Sequence, residues 1–171
     1  PVCTPEPEFF PSVTRDGTLY FTRRPKGSRA EYIYRSRLVD GRYAEPERLP
    51  VEVNSGETHY NAFVAPDESY IILGMEGGKG AIGPTDYYVA FRKADGGWHG
   101  AINLGTPINL PGVLGYAPSV SPDGKVLFFM SHRVVGERPT GRLSYADYPR
   151  LATGPSCPRW QDFQQAHAGY R

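Results

Sequence analysis

The 171-residue chain carries 19 basic and 18 acidic residues, a formal net charge of +1, so no polyelectrolyte partner is implied and nucleic acid is disfavoured. With 39% hydrophobic and 13% aromatic residues it can bury a substantial core as one domain, and no window approaches the ~20 apolar residues of a membrane-spanning helix. Gly 20 and Pro 17 are spread along the chain rather than clustered, which suits many short strands and turns and argues against disorder.

In chain order, Pro1 to Glu8 reads as a loop, and Pro1 in place of an initiating Met reads as the mark of a processed form or a fragment. Phe9 to Thr22 predicts a hairpin turning at Asp16-Gly17, followed by a solvated basic loop from Arg23 to Ala30. Glu31 to Leu38 alternates aromatic and β-branched residues with polar ones and predicts a third strand. Tyr43 to Leu49, with Pro46 inside it and Pro50 after it, predicts a fourth strand at a sheet edge, where a missing N–H costs no ladder hydrogen bond. The plan then recurs: a hairpin over Tyr60 to Leu73, a Gly-rich loop over Gly74 to Pro84, a third strand over Asp86 to Lys93 and a fourth over Trp98 to Leu104. A third hairpin spans Tyr116 to Met130, Arg142 to Tyr148 reads as a strand or short helical turn, and the pattern fades from Leu151 onward.

The hairpins are copies of one another. Phe9-Phe10-Pro11-Ser12-Val13-Thr14-Arg15-Asp16, Tyr60-Asn61-Ala62-Phe63-Val64-Ala65-Pro66-Asp67 and Tyr116-Ala117-Pro118-Ser119-Val120-Ser121-Pro122-Asp123 align on their aspartates, which are 51 and 56 residues apart. A period near 50 residues is that of propeller blades rather than helical solenoids. The linkers repeat too, Leu49-Pro50-Val51-Glu52-Val53-Asn54 matching Leu104-Gly105-Thr106-Pro107-Ile108-Asn109. Asp16, Asp67 and Asp123 are read as turn formers, and Ser12 and Ser119 as hydrogen-bonding residues at strand starts. Phe21, Tyr43, Trp98 and Phe128 hold repeat-defined places and are expected to pack between blades; of the adjacent Tyr87 and Tyr88, one is expected to be exposed.

The repeated Pro-Ser-Val-(Ser/Thr)-x-Asp-Gly element, the Asp86-Tyr87-Tyr88-Val89 strand and the Trp98-x-x-Ala101-x-Asn103-Leu104-Gly105-x-x-Ile108-Asn109 linker resemble the PD40 (WD40-like) repeat of TolB-like propellers. The resemblance covers roughly Phe9 to Met130 and implies an all-β propeller of four-stranded antiparallel blades. Blade 1 would span residues 1–50, blade 2 residues 51–105 and an incomplete blade 3 residues 106–150, with an irregular tail over 151–171. About three blades are visible, where the family builds six-bladed rings. The expectation is therefore a part of such a ring, completed by other chain, by a second copy in a homodimer or by a larger assembly. The resemblance also implies a periplasmic or secreted location, with the cytoplasm left open. Cys3 and Cys157 are either unrelated thiols or, if the ends of the chain meet, a disulfide.

No catalytic constellation stands out. There is no Gly-x-Ser-x-Gly elbow, the Gly77-Gly78-Lys79-Gly80 run lacks Walker spacing, and His59, His99, His132 and His167 show no paired metal-ligand spacing, so neither cofactor nor metal is expected. Candidate binding residues are those placed by the repeat at a channel mouth: Glu8, Glu57, His59, Asn61 and Tyr116. The expected function is a non-catalytic binding module presenting loops and a channel mouth to a protein, peptide or glycan. The alternatives are an accessory propeller of a hydrolase and an architectural subunit of a larger complex.

Overall fold

The computed structural model describes residues 2–133, and these form β-strands, turns and loops with no helix among them. The expectations for Arg142 to Tyr148, for the tail and for Cys157 lie outside the described residues. Twelve strands follow in order: β1 Glu8–Val13, β2 Leu19–Arg23, β3 Tyr32–Ser36, β4 Leu38–Val39, β5 Arg42–Tyr43, β6 Glu47–Arg48, β7 Thr58–Val64, β8 Tyr70–Glu76, β9 Asp86–Phe91, β10 Ile102–Asn103, β11 Val113–Val120 and β12 Leu127–Arg133. They assemble into two four-stranded antiparallel sheets, β1-β2-β3-β6 and β7-β8-β9-β10, with β11-β12 as a third hairpin. The fold is all-β.

The fourth strand of the first sheet departs from the sequence reading. Leu38–Val39 and Arg42–Tyr43 pair with each other as a small separate hairpin, turning through Asp40 and Gly41 at positive φ, and only Glu47–Arg48 reaches β3. Tyr43 is consequently half-buried rather than packed between sheets. In the second sheet, β8 runs on to Glu76, into what the glycines suggested was loop, while Trp98 meets Arg92 in a single bridge and lies buried.

The turn aspartates do what the repeat suggests. Asp16 accepts from the Thr18 amide (3.1 Å), Asp67 from the Ser69 amide (3.1 Å) and Asp123 from the Lys125 amide (3.2 Å), each closing its hairpin locally. Each hairpin also holds one residue in the left-handed region at one repeat position: Phe10 (φ 54°), Asn61 (φ 49°) and Ala117 (φ 60°). At those points the register shifts, between Phe9 and Ser12, Tyr60 and Phe63, and Tyr116 and Ser119. A bulge written three times bends β1, β7 and β11 alike.

Two apolar layers hold the sheets together. Tyr20 and Ile33 of the first sheet pack with Val64, Ile71, Leu73, Met75, Tyr88 and Ala90 of the second. On the other face of the second sheet, Ile72, Tyr87, Val89 and Phe91 pack with Val120 and Phe129 of the third hairpin. Strand β9 is thus enclosed on both sides and every one of its residues is buried. This corrects the expectation for Tyr87 and Tyr88: alternation sends them to opposite faces, but both faces are covered. In β12 the buried residue is Phe129, whereas Phe128 is exposed among the described residues. Close approach of the third hairpin to the second sheet requires glycine: a Cβ at Gly74 would lie 2.7 Å from the Gly115 carbonyl oxygen, and one at Gly115 would lie 2.5 Å from the Tyr87 ring.

Candidate functional site

The three bent strands β1, β7 and β11 lie side by side and leave a cleft of about 430 Å³. Its walls come from all three repeats: Phe9 of β1, Tyr60 and Asn61 of β7, and Leu114 and Tyr116 of β11. Phe9, Tyr60 and Tyr116 hold a single position in the repeat, each immediately before the left-handed residue. The bulge therefore aims one aromatic side chain per repeat at a common space. Bulges often re-aim side chains in this way next to functional sites.

The polar wall comes from elsewhere. Glu31 precedes β3, Glu76 ends β8 and Thr85 precedes β9. The Tyr60 hydroxyl donates to Glu76 Oε1 at 2.8 Å, and Thr85 Oγ1 donates to the same oxygen at 3.4 Å. Burial, reinforced by the adjacent Glu76 carboxylate, pushes the Tyr60 phenol up to about 12. The Glu31 side chain is 6% exposed and is paired with the Arg24 guanidinium, which reaches in from the basic loop. The stretch from Arg23 is thus tied down at both Arg23 and Arg24, beyond the solvated role its composition suggested.

Of the five residues the sequence singled out, Asn61 and Tyr116 line the cleft. The Asn61 amide donates to Thr22 Oγ1 (3.1 Å), which ties the β7 bulge to the first sheet. The Tyr116 carbonyl accepts from the buried Tyr87 hydroxyl (2.8 Å), which braces the β11 bulge from behind. The other three lie elsewhere. Glu8 stands opposite Arg23 across the β1–β2 ladder and forms an ion pair with it at 3.0 Å, while also accepting from Thr4. Glu57 is exposed, and its side chain lies against Gly77.

His59 differs most from its expected placement, being neither a channel residue nor a solvated one. It stands opposite Met75 on the face packed against the first sheet and is fully buried. Its Nδ1–H donates to the Glu31 carbonyl (3.0 Å), its Nε2 accepts from the Gly56 amide (3.1 Å), and its ring stacks on Tyr32. Both nitrogens are satisfied in the neutral ring, and burial lowers the pKa to about 4.

The cleft residues that sequence reasoning passed over are Phe9, Tyr60, Leu114, Glu31, Glu76 and Thr85. The first two carried a signal, since they align with Tyr116 in the repeat. Glu31 and Glu76 carried none, because 45 residues separate them and they meet only through the stacking of sheets. Among the described residues no group of three or more His, Cys, Asp or Glu could hold a metal ion, and Cys3 is an exposed free thiol. No helix of the described residues is long and apolar enough to cross a membrane. Comparison with protein-family models and with curated proteins finds no match.

Proposed function

We propose that the chain is a non-catalytic binding module: a piece of a PD40-type β-propeller whose four-stranded sheets are blades and whose inner-strand cleft takes a protein, peptide or glycan partner. The observation that carries this reading is the threefold convergence of Phe9, Tyr60 and Tyr116 on one cleft, each delivered by the same bulge. Non-glycine residues at positive φ cost free energy, and paying that cost at one position in every repeat favours a use for the geometry beyond stability. Two further features support the propeller interpretation. The strands of both four-stranded sheets are hydrogen-bonded in chain order, and each sheet packs face to face on its neighbour. An exported location and completion of a ring by a second copy or other chain follow from the same resemblance.

The test is to probe peptide and glycan arrays with the purified chain and with Tyr116→Ala, after circular dichroism has shown that the variant keeps its strands. Retention on a subset of features that is lost in the variant supports the reading. Binding that ignores Tyr116, or turnover of a substrate by the purified chain, overturns it.

A further inference from the structure

We infer that the inner-strand cleft selects a cationic side chain, the guanidinium of Arg or the ammonium of Lys presented by a partner polypeptide. This rests on the binding-module reading and specifies its ligand. Two carboxylates face the cleft and they are not equivalent. Glu31 already has its counter-ion in Arg24. Glu76 has no ion-pair partner among the described residues; both of its hydrogen-bond donors are neutral hydroxyls, and both serve Oε1. Among the described residues the cleft therefore holds one negative charge without a counter-ion, and its carboxylate oxygen Oε2 accepts no hydrogen bond from them.

Covering that charge with an apolar ligand would strip its hydration and return nothing, and a neutral hydroxyl or amide would return a hydrogen bond but no counter-charge, whereas a cation replaces the lost water with a charge-assisted hydrogen bond. The remaining walls suit the rest of such a side chain. Phe9, Tyr60 and Tyr116 offer aromatic surface that attracts cations through the ring quadrupole. Leu114 and the Phe9 ring offer apolar surface to a methylene stem whose charged head lies against Glu76. A glycan would gain from the aromatic rings but would leave Glu76 without a counter-charge.

The experiment is a titration of the isotope-labelled full chain, followed by amide nuclear magnetic resonance. The probes are Nα-acetyl-arginine amide, Nα-acetyl-lysine amide, the uncharged Nα-acetyl-norleucine amide, the peptide acetyl-Gly-Gly-Arg-Gly-Gly-amide, spermidine and chitotriose. The expected result is that the cationic amides shift Tyr60, Asn61, Leu114 and Tyr116 while norleucine does not. The peptide should bind at least as tightly as the arginine amide, and Glu76→Gln should weaken both at least tenfold. Should Glu76→Gln fail to fold, the wild-type chain in 1 M sodium chloride serves in its place, since cation recognition must weaken there and apolar recognition must not. Spermidine binding tenfold tighter than the peptide would assign the site to small amines and overturn the polypeptide ligand. Shifts from chitotriose alone would overturn the cationic ligand while leaving the binding-module reading intact. No shift from any probe would overturn both.

Discussion

Asn54 and Asn109, 55 residues apart, dock onto the third strand of the preceding sheet through the same pair of hydrogen bonds. Asn54 Oδ1 accepts from the Ile33 amide (2.9 Å) and its Nδ2 donates to the Ile33 carbonyl (3.1 Å); Asn109 does the same to Tyr87, at 2.8 and 3.0 Å. Each carboxamide stands in for one residue of an additional strand and, being buried, satisfies backbone groups that no water reaches. Asn54→Ala would leave the Ile33 amide unpaired in the interior and should cost about 2–3 kcal/mol, with a similar loss for Asn109→Ala. Urea unfolding at neutral pH measures both. A loss below about 0.5 kcal/mol at either site would mean that the shared geometry carries no shared energetics.

That relationship was half visible in the sequence, where the two linkers align residue for residue, and the reasons for the other half are local. The turn aspartates were legible because their partners lie two residues away. Strand β9 was misjudged because its burial depends on the first sheet and the third hairpin covering it together, which a period-two pattern cannot report. His59 looked polar and peripheral, yet its partners are Glu31, just before β3, and Tyr32 in β3 of another sheet. In the cleft, the aromatic side chains could be read from the repeat, while the carboxylates could not, since nothing local relates Glu31 to Glu76.

The left-handed bulge residues differ in how well they suit their conformation. Asn tolerates positive φ, whereas Ala at φ 60° is strained by its Cβ. Ala117→Gly should therefore stabilise the chain by about 0.5 kcal/mol, the relief of strain exceeding the extra entropy of the unfolded chain, while Asn61→Gly should be close to neutral or mildly destabilising. Thermal melts of the two variants side by side decide the matter. Equal destabilisation would show that the bulge is held by its neighbours and stores no strain at Ala117.

The Tyr87 hydroxyl donates to the carbonyls of Tyr116 and Met130, and its ring meets Phe129 edge-on at 5.4 Å. Tyr87→Phe keeps the ring and removes the brace, so it should cost about 1–2 kcal/mol. Hydrogen exchange should quicken around Tyr116 more than around Tyr60, because only the third hairpin loses a tie. Uniform acceleration across all three hairpins would show that the hydroxyl supports the whole core rather than one bulge.

His59 should give the protein an acid limit of its own. Burial holds its pKa near 4 in the folded chain, against an ordinary value of 6.5 in the unfolded one. Between these values the unfolded chain binds more protons. The contribution of His59 is therefore fully present above pH 6.5 and is lost as pH falls toward 4, amounting to roughly 3 kcal/mol. The turn carboxylates act lower. A Thr14 hydroxyl and the Thr18 amide hold Asp16 below its usual 3.8, and a Ser121 hydroxyl and the Lys125 amide do the same for Asp123, so their contributions disappear only beneath that value. Urea midpoints at pH 7.5, 6, 5 and 4.5 should fall steadily for the native chain. His59→Asn should be less stable at pH 7.5 but should show a flatter profile across the same range. An undiminished slope in the variant would assign the acid sensitivity to other groups and remove His59 as its source.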